Sequence, residues 1–566
     1  MQKEIIKANI VVFIASFCTL VIELVAGRIM APHVGVSLYT WTSIIGVVLA
    51  GISIGAYVGG LIADRYPRAS TLGWLLFLSG LGAFAVSPLT NLVGRAEFQS
   101  SLMIRILLLT AMIFFIPSCL LGMISPVVVK LTLKNLKKTG NVVGKIYAFS
   151  TLGSILGTFA TGFFLISWMG TRSILLTMGA ILIISAPIFG GLLTKVKTLV
   201  TFILIMVLFL ILPLAGLYGY AAIAPGKIDL PASPIDSLKT AYAYAFKPPF
   251  VKDAYFFKES NYYTIKLKKV QRDGKKPLET LILDHLTHSY TDLNDPGYLK
   301  YEYLRIYEEI LRWQARKRDS CNVLFIGGGG YTFPRFIDAK YKHAAIDVVE
   351  IDPEIIRVSQ QYLGVSKDSH IRSCNEDARW FVINSKEKGK YDFVFGDAFN
   401  DLSIPYHLTT KEFAVQLKHL MKPDGLLLAN VIDSFQHGAF LPSYIRTLEE
   451  VFGKGNVYLV LLKSDYDHIR ISTFVIVASP QRLDMKAFVR TIRKDQTEGG
   501  PLARGDPGQR ATFGLVRDKM ISHVMPEDRL QQYLKERYSV ILTDDYVPAD
   551  NLIAPIFEER FGYRRQ

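Results

Sequence analysis

Apolar and polar positions are spread so unevenly that the chain falls into two parts. Before about residue 222, apolar residues gather into seven runs, at roughly 8–30, 39–63, 70–93, 103–129, 142–168, 173–194 and 198–221. Each has about the ~20 residues a helix needs to cross a hydrocarbon core. Residues 1–221 are therefore predicted to form an N-terminal all-α transmembrane bundle of about seven helices. Glycine recurs inside the runs, as in GISIGAYVGG (51–60) and TLGSILGTFATG (151–162), and small residues so spaced let helix backbones approach closely. The first run is too long for a signal peptide, carries Glu23 and lacks a small-residue cleavage pattern, which predicts a retained span.

After a linker rich in Pro, Ala and Tyr (222–250), the period shortens. YYTIKLKKV (262–270) and ETLILDH (279–285) read as a β-hairpin across the turn RDGKK, within a small N-terminal part spanning 251–295. PGYLKYEYLRIYEEILRW (296–313) reads as an amphipathic helix. From 322 onward short apolar strands alternate with helical stretches: NVLFI, AIDVVEI, a strand near 370–374, YDFVFGD and GLLLANVI, then VYLVLL and FVIVA. That alternation predicts, over 296–566, an α/β Rossmann-like doubly wound parallel sheet. Ligands on such sheets bind beyond the carboxyl ends of the strands.

Four polar features fall at those ends. Gly327, Gly328, Gly329 and Gly330 follow NVLFI directly and permit a tight turn with close backbone approach. Glu350 closes the second strand, where an acid can accept both hydroxyls of a ribose. Asp377, in NEDARWF, follows the third strand, and a carboxylate beside a backbone N–H can pair with the amino edge of adenine. Asp397 closes YDFVFGD. Singly each fits a helix cap or a turn; together they describe a pocket for an adenosine-bearing ligand. The loop runs on as YTFPRF without the third glycine of a dinucleotide fingerprint, so an S-adenosyl sulfonium ligand fits better than a pyrophosphate.

Composition alters this picture in only a few respects. The 566 residues are 50% hydrophobic and carry a formal charge of +15. Much of the excess lies in short loops between apolar runs (Lys130, Lys134, Lys137, Lys138, Lys195, Lys197), where it sets membrane orientation rather than binding nucleic acid. The bias puts the N-terminus inside, yet seven crossings would leave the C-terminal part outside, and the sequence leaves its side open. Within the first span, Glu23 is expected to pair with Arg28 or with a polar group of another helix, Arg28 otherwise reaching the interface; a polar ligand held in the bundle is the alternative. Cys18, Cys119, Cys321 and Cys374 show no CxxC spacing, so free thiols are expected and no metal site.

The chain resembles the spermidine synthase (polyamine aminopropyltransferase) family, in its membrane-fused branch. The resemblance rests on GISIGAYVGGLIADR, PSCLLGMISPVV and GKIYAFSTLGSILGTFATGFFLI in the first part. In the second it rests on LILDHLTHSY, VLFIGGGGYTFPRF, VVEIDPEII, NEDARWF, GDAFNDLSIPYHLTTKEF and LTDDYVPADNLIAP. It implies a multi-pass cell-membrane protein without a tightly bound cofactor or metal. Decarboxylated S-adenosylmethionine, or the intact compound, would be its co-substrate and a polyamine or related amine its acceptor. Asp397 would be the general base, the glycines, Glu350, Asp377 and Ala378 would hold the donor, and a homodimer is expected. Three departures bear on substrate. The family's GGGDG aspartate is here Gly330, its hairpin glutamine is His288, and the second acid of DxxD falls on Asn400 with Asp401 one step late. His288, Tyr290, Tyr301, Asp401 and His407 are the candidates for acceptor contacts. Two alternatives stay open: a methyltransferase, with Gly330 leaving room for a carboxylated donor, and a transporter or sensor whose C-terminal part binds polyamine or nucleoside without turnover.

Overall fold

The computed structural model describes residues 2–35, 37–93, 102–133, 139–192, 197, 199–208, 233–246, 253–284, 286–316, 320–398, 404–462, 469, 471–497 and 522–560. The chain divides into two compact units, Met1–Asp253 with Glu259–Tyr263, and Ala254–Lys258 with Thr264–Gln566.

Among the described residues of the first unit, six helices are long and apolar enough to cross a membrane: Glu4–Val34, Leu38–Arg65, Ala69–Val93, Met103–Thr132, Thr139–Leu165 and Thr171–Gly190. The expected seventh stretch is described only in part, where Leu199–Leu208 is a shorter apolar helix; 209–221 lies outside the described residues. The predicted glycine seams form. A Cβ on Gly51 would lie 3.0 Å from the Phe115 carbonyl oxygen, and one on Gly157 2.7 Å from that of Phe17. Arg28 is not paired with Glu23; its two Nη donate to the carbonyls of Ser260 and Asn261, both at 2.6 Å. Glu259 of the same segment accepts from Thr171 N at 2.7 Å. Within the expected linker, Pro234–Phe246 is a helix against Ala69–Val93. Its run SLKTAYAYA is rich in helix formers, and Asp236 sits in the first turn, where an acid favours the helix dipole.

In the second unit β1 (Phe256–Glu259), β2 (Thr264–Arg272), β3 (Lys275–Leu283) and β4 (Leu286–Thr291) form an antiparallel sheet in chain order. The predicted hairpin turns at Gly274, whose φ is +63°. The helix predicted from 296 starts only at Glu302: Asp292 and Asp295 first hold a turn through the N–H groups of Asn294 and Gly297.

The large sheet comprises β5 (Cys321–Ile326), β6 (Ala344–Val349), β7 (Ile371–Cys374), β8 (Tyr391–Gly396), β9 (Met421–Ser434), β10 (Val457–Leu461), β11 (Ile471–Ala478) and β12 (His523–Val524). Its order is β12-β10-β11-β9-β8-β5-β6-β7. β5 through β9 run parallel, as predicted, with the order reversing between β5 and β8. The late strands do not: β11 lies antiparallel to both β9 and β10. The nine residues between β10 and β11 suit a return, whereas a parallel crossover needs a dozen or more. Aromatic rings fill the space beneath the ends of β5 and β8, with Phe325 stacked on Phe395 at 4.8 Å and Phe333 on Phe336 at 5.4 Å. They brace the loop above. All four cysteines are free.

Candidate active site

The loop after β5 is shaped by what surrounds each glycine. Gly327 has φ +90°, donates to the Val349 carbonyl at 2.9 Å, and would place a Cβ 2.7 Å from the Asp397 carbonyl oxygen. It seats the loop against the tip of β8. Gly328 donates its N–H to Glu350 Oε2 at 2.7 Å. Gly329 has φ +47° and nothing within 4 Å of where a Cβ would stand, so this face of the backbone is open. Gly330 faces the side chain of Ser289 on β4, which fills the place a Cβ would take. Tyr331 completes the turn in the left-handed region, φ +55°, with its phenol on Ser373 Oγ at 3.0 Å. A non-glycine residue there is uncommon. Buried contacts pin it.

Glu350 stands at the tip of β6 with only 6% of its surface exposed. Oε2 takes the Gly328 N–H, Oε1 takes the Asp352 N–H at 2.9 Å, and burial raises the acid above its ordinary range. Each oxygen keeps a lone pair for a further donor. Asn375, beyond β7, donates to the Glu350 and Ile351 carbonyls and ties the two strand ends together.

Asp377 caps the helix Ala378–Asn384, its Oδ1 accepting from Arg379 N and Trp380 N at 2.8 and 3.1 Å. Its Oδ2 lies 3.1 Å from His407 Nε2. His407 therefore sits with Asp377. Ala378 is buried behind the cap.

Asp397 follows β8 and is held from two sides. Tyr303 donates its hydroxyl to Oδ2 at 2.9 Å, and Asn430 Nδ2 donates to Oδ1 at 2.8 Å. Burial pushes the carboxyl above its ordinary range, against the pull of Asn430, Tyr303 and nearby His288. The same burial, reinforced by the carboxylate, raises the Tyr303 phenol far higher, so it stays a donor. Rings continue from there: Tyr303 lies 5.8 Å from Tyr301, and Tyr301 lies 5.4 Å from Tyr290. Tyr301 donates to the Thr287 carbonyl at 2.6 Å, His288 Nδ1 lies 3.0 Å from the Leu286 carbonyl, and Lys300 Nζ stands 3.7 Å above the Tyr290 ring.

The glycine loop after β5 thus touches Glu350 through Gly328 and the Asp397 backbone through Gly327, with His288 near Asp397 and the Tyr290–Tyr301 pair joined to it through Tyr303. Asp377 and His407 stand on the β7 side. Asp401 lies outside the described residues. Sequence reasoning passed over Tyr303, Asn430 and Ser289. A signal existed for Asn430, a lone amide in the apolar run GLLLANVI. None marked Tyr303 among the other tyrosines of its helix.

Residues 307–480 match the family model described as spermine/spermidine synthase domain. A polyamine aminopropyltransferase of Vibrio vulnificus is 35% identical over 133 residues, which is 23% of this chain and 44% of that protein. Polyamine aminopropyltransferase 2 of Aquifex aeolicus is 24% identical over 457 residues, 78% of this chain and 82% of the relative. Among solved structures, a probable spermidine synthase from Corynebacterium glutamicum is 18% identical, with a TM-score of 0.42 over 50% of this chain and 95% of that one. The family match places a spermine/spermidine synthase domain in the C-terminal unit. The chain spans about half the length, or less, of the first curated relatives it matches.

Proposed function

We propose that this protein is a membrane-bound aminopropyltransferase. Its C-terminal unit moves an aminopropyl group from decarboxylated S-adenosylmethionine to putrescine or a related amine, and its helical unit lies in the cell membrane. Glu350 accepts the ribose hydroxyls, Asp377 and the Ala378 N–H take the adenine edge, and the open face of Gly329 lies along the donor. An alkylammonium titrates near ~10, so the acceptor arrives without a lone pair. Asp397 removes that proton. The freed nitrogen then bonds to the propyl carbon on sulfur, the C–S bond breaks with its electron pair passing to sulfur, and methylthioadenosine leaves. Tyr303 and Asn430 hold the base in place, and Tyr301 offers a ring face to a cationic acceptor beside Tyr290, whose own ring already carries the Lys300 ammonium.

The observation that carries this reading is the carboxylate of Asp397, raised by burial toward the pH range of a general base and fixed beside the glycine loop. The test is turnover by the purified full chain with decarboxylated S-adenosylmethionine and putrescine, read as methylthioadenosine formed. Asp397→Asn should abolish turnover while calorimetry finds donor affinity kept. Equal turnover by that variant rejects the assigned base. Clear preference for the intact, carboxylated donor rejects aminopropyl transfer in favour of methyl transfer.

A further inference from the structure

We propose that the helical unit is a carrier made of two inverted three-helix repeats, and that Glu23 is the group that binds its cargo, a small cation. The repeat is written in both sequence and packing. At an offset of 102 positions, Phe13 matches Phe115, Ser16 matches Ser118, Ile22 matches Ile124, Gly51 matches Gly153, Gly55 matches Gly157 and Gly60 matches Gly162. The contacts obey the same exchange. Gly153 and Gly157 of the fifth span press on the Phe13 and Phe17 backbone of the first, while Gly51 and Gly55 of the second press on Phe115 and Cys119 of the fourth. Adding the offset to one pair of partners produces the other. The third and sixth spans pair with each other: Gly80 faces the Gly179 carbonyl and Gly179 faces that of Gly80. An exchange axis passes between those two glycines.

Three helices per half is an odd number, so consecutive halves cross a bilayer in opposite directions. The axis relating them then lies in the membrane plane. This is the construction of many secondary carriers, in which substrate binds near the midplane between repeats and the halves rock about it. An anchor needs no such symmetry.

The two halves differ where binding chemistry is expected. Glu23 lies 19 residues from Glu4 and 11 from Val34, about 28 and 16 Å along a helix, within a hydrocarbon core ~30 Å thick. No hydrogen bond or ion pair joins it to another described residue, since Arg28 is committed to the Ser260 and Asn261 carbonyls. Its counterpart in the second half is Ser125, on the fourth span, so matching positions carry an acid in one half and a hydroxyl in the other. A carboxylate in an apolar span is costly unless it binds something. Its charge selects a cation, either an organic amine or an inorganic ion.

The test uses the full chain in proteoliposomes with two probes, radiolabelled putrescine and radioactive sodium. We expect protein-dependent uptake of one of them, cut at least tenfold by Glu23→Gln and restored to within a few-fold by Glu23→Asp. Transferase turnover should be unchanged in all three proteins, because Glu23 has no part in that reaction, and uptake is read without any donor present. Putrescine uptake assigns an organic cation and sodium uptake an inorganic one. Uptake of neither above protein-free vesicles, equal uptake by Glu23→Gln, or a loss that Glu23→Asp fails to repair each overturns the proposal.

Discussion

Glycine does opposite work in the two units. Between the spans it keeps ordinary helical angles and simply removes bulk, so that Gly51 and Gly157 meet a neighbouring helix backbone. In the loop after β5, Gly327 and Gly329 hold φ of +90° and +47°, angles that side chains rarely adopt, and one of them leaves an open face. The first use builds a close-packed scaffold. The second opens a place for a ligand. A run of glycine in sequence therefore says little until the period around it is known: helical spacing points to packing, and a strand tip points to binding.

The sharpest way to separate the units is to disable one without touching the other. Asp397→Asn should lower turnover by about 10²–10⁴-fold, the usual worth of a general base. Because burial raises the folded-state carboxyl above its unfolded value, its ionisation costs stability as pH rises through that raised pKa. The amide removes that cost. The tyrosine hydroxyl can turn to accept from it while Asn430 keeps its own bond. The melting temperature at neutral pH should be equal or higher, measured beside turnover on the same sample. A large drop in melting temperature would mean that Asp397 chiefly supports the fold.

How much of this was legible beforehand follows the range of the interactions involved. The apolar runs, the strand order from β5 to β9 and the acids at their tips are local patterns, and Glu350 and Asp397 stand at the tips their patterns indicated. What escaped depends on pairings distant in sequence. Tyr303 reaches Asp397 from 94 residues away, and Ser289 meets Gly330 only because β4 folds over the loop. The antiparallel return of β11 was hidden for the opposite reason: an apolar run such as FVIVA fits a buried strand of either direction. The partners of Arg28 are backbone carbonyls, which no residue type announces.

A second comparison sets the two glycine classes against each other with the same change. Gly327→Ala adds a Cβ at a left-handed position, which costs about 1–2 kcal/mol, and drives it into the Asp397 carbonyl. Donor affinity should fall at least tenfold by calorimetry. Gly55→Ala improves helix propensity by about 1 kcal/mol, yet its Cβ meets the Cys119 backbone in the opposite span. Overpacking of this kind costs about 1–3 kcal/mol, so the melting temperature in detergent should fall while donor affinity holds. Swapped outcomes, with Gly55→Ala weakening the donor and Gly327→Ala sparing it, would break the distinction drawn above.

Glu350→Gln probes the donor side. The carboxylate accepts two backbone N–H groups, from Gly328 and Asp352, one on each oxygen. An amide can accept only one of them and turns its own donor toward the other. Leaving a buried donor unmet costs about 1–3 kcal/mol, so KM for the donor should rise about 10-fold to 100-fold with kcat changed less. A fall in kcat with KM constant would move Glu350 from holding the nucleoside to the reacting centre.

Tyr303→Phe should have the smallest effect, and its pH profile is more informative than its size. The hydroxyl donates to Asp397 Oδ2 and favours the ionised acid. Removing it raises a pKa that burial has already raised. Since only the ionised carboxylate can take the proton, the acid limb of kcat/KM should move to higher pH, and turnover at neutral pH should fall about 3–10-fold, as losing one hydrogen bond worth about 0.5–1.5 kcal/mol allows. At alkaline pH the variant should recover most of the wild-type rate, because Asn430 still orients the other oxygen. If the loss were instead the same at every pH, Tyr303 would act by positioning the acceptor, and the ring ladder from Tyr290 through Tyr301 would be the better account of how an amine is led to the base.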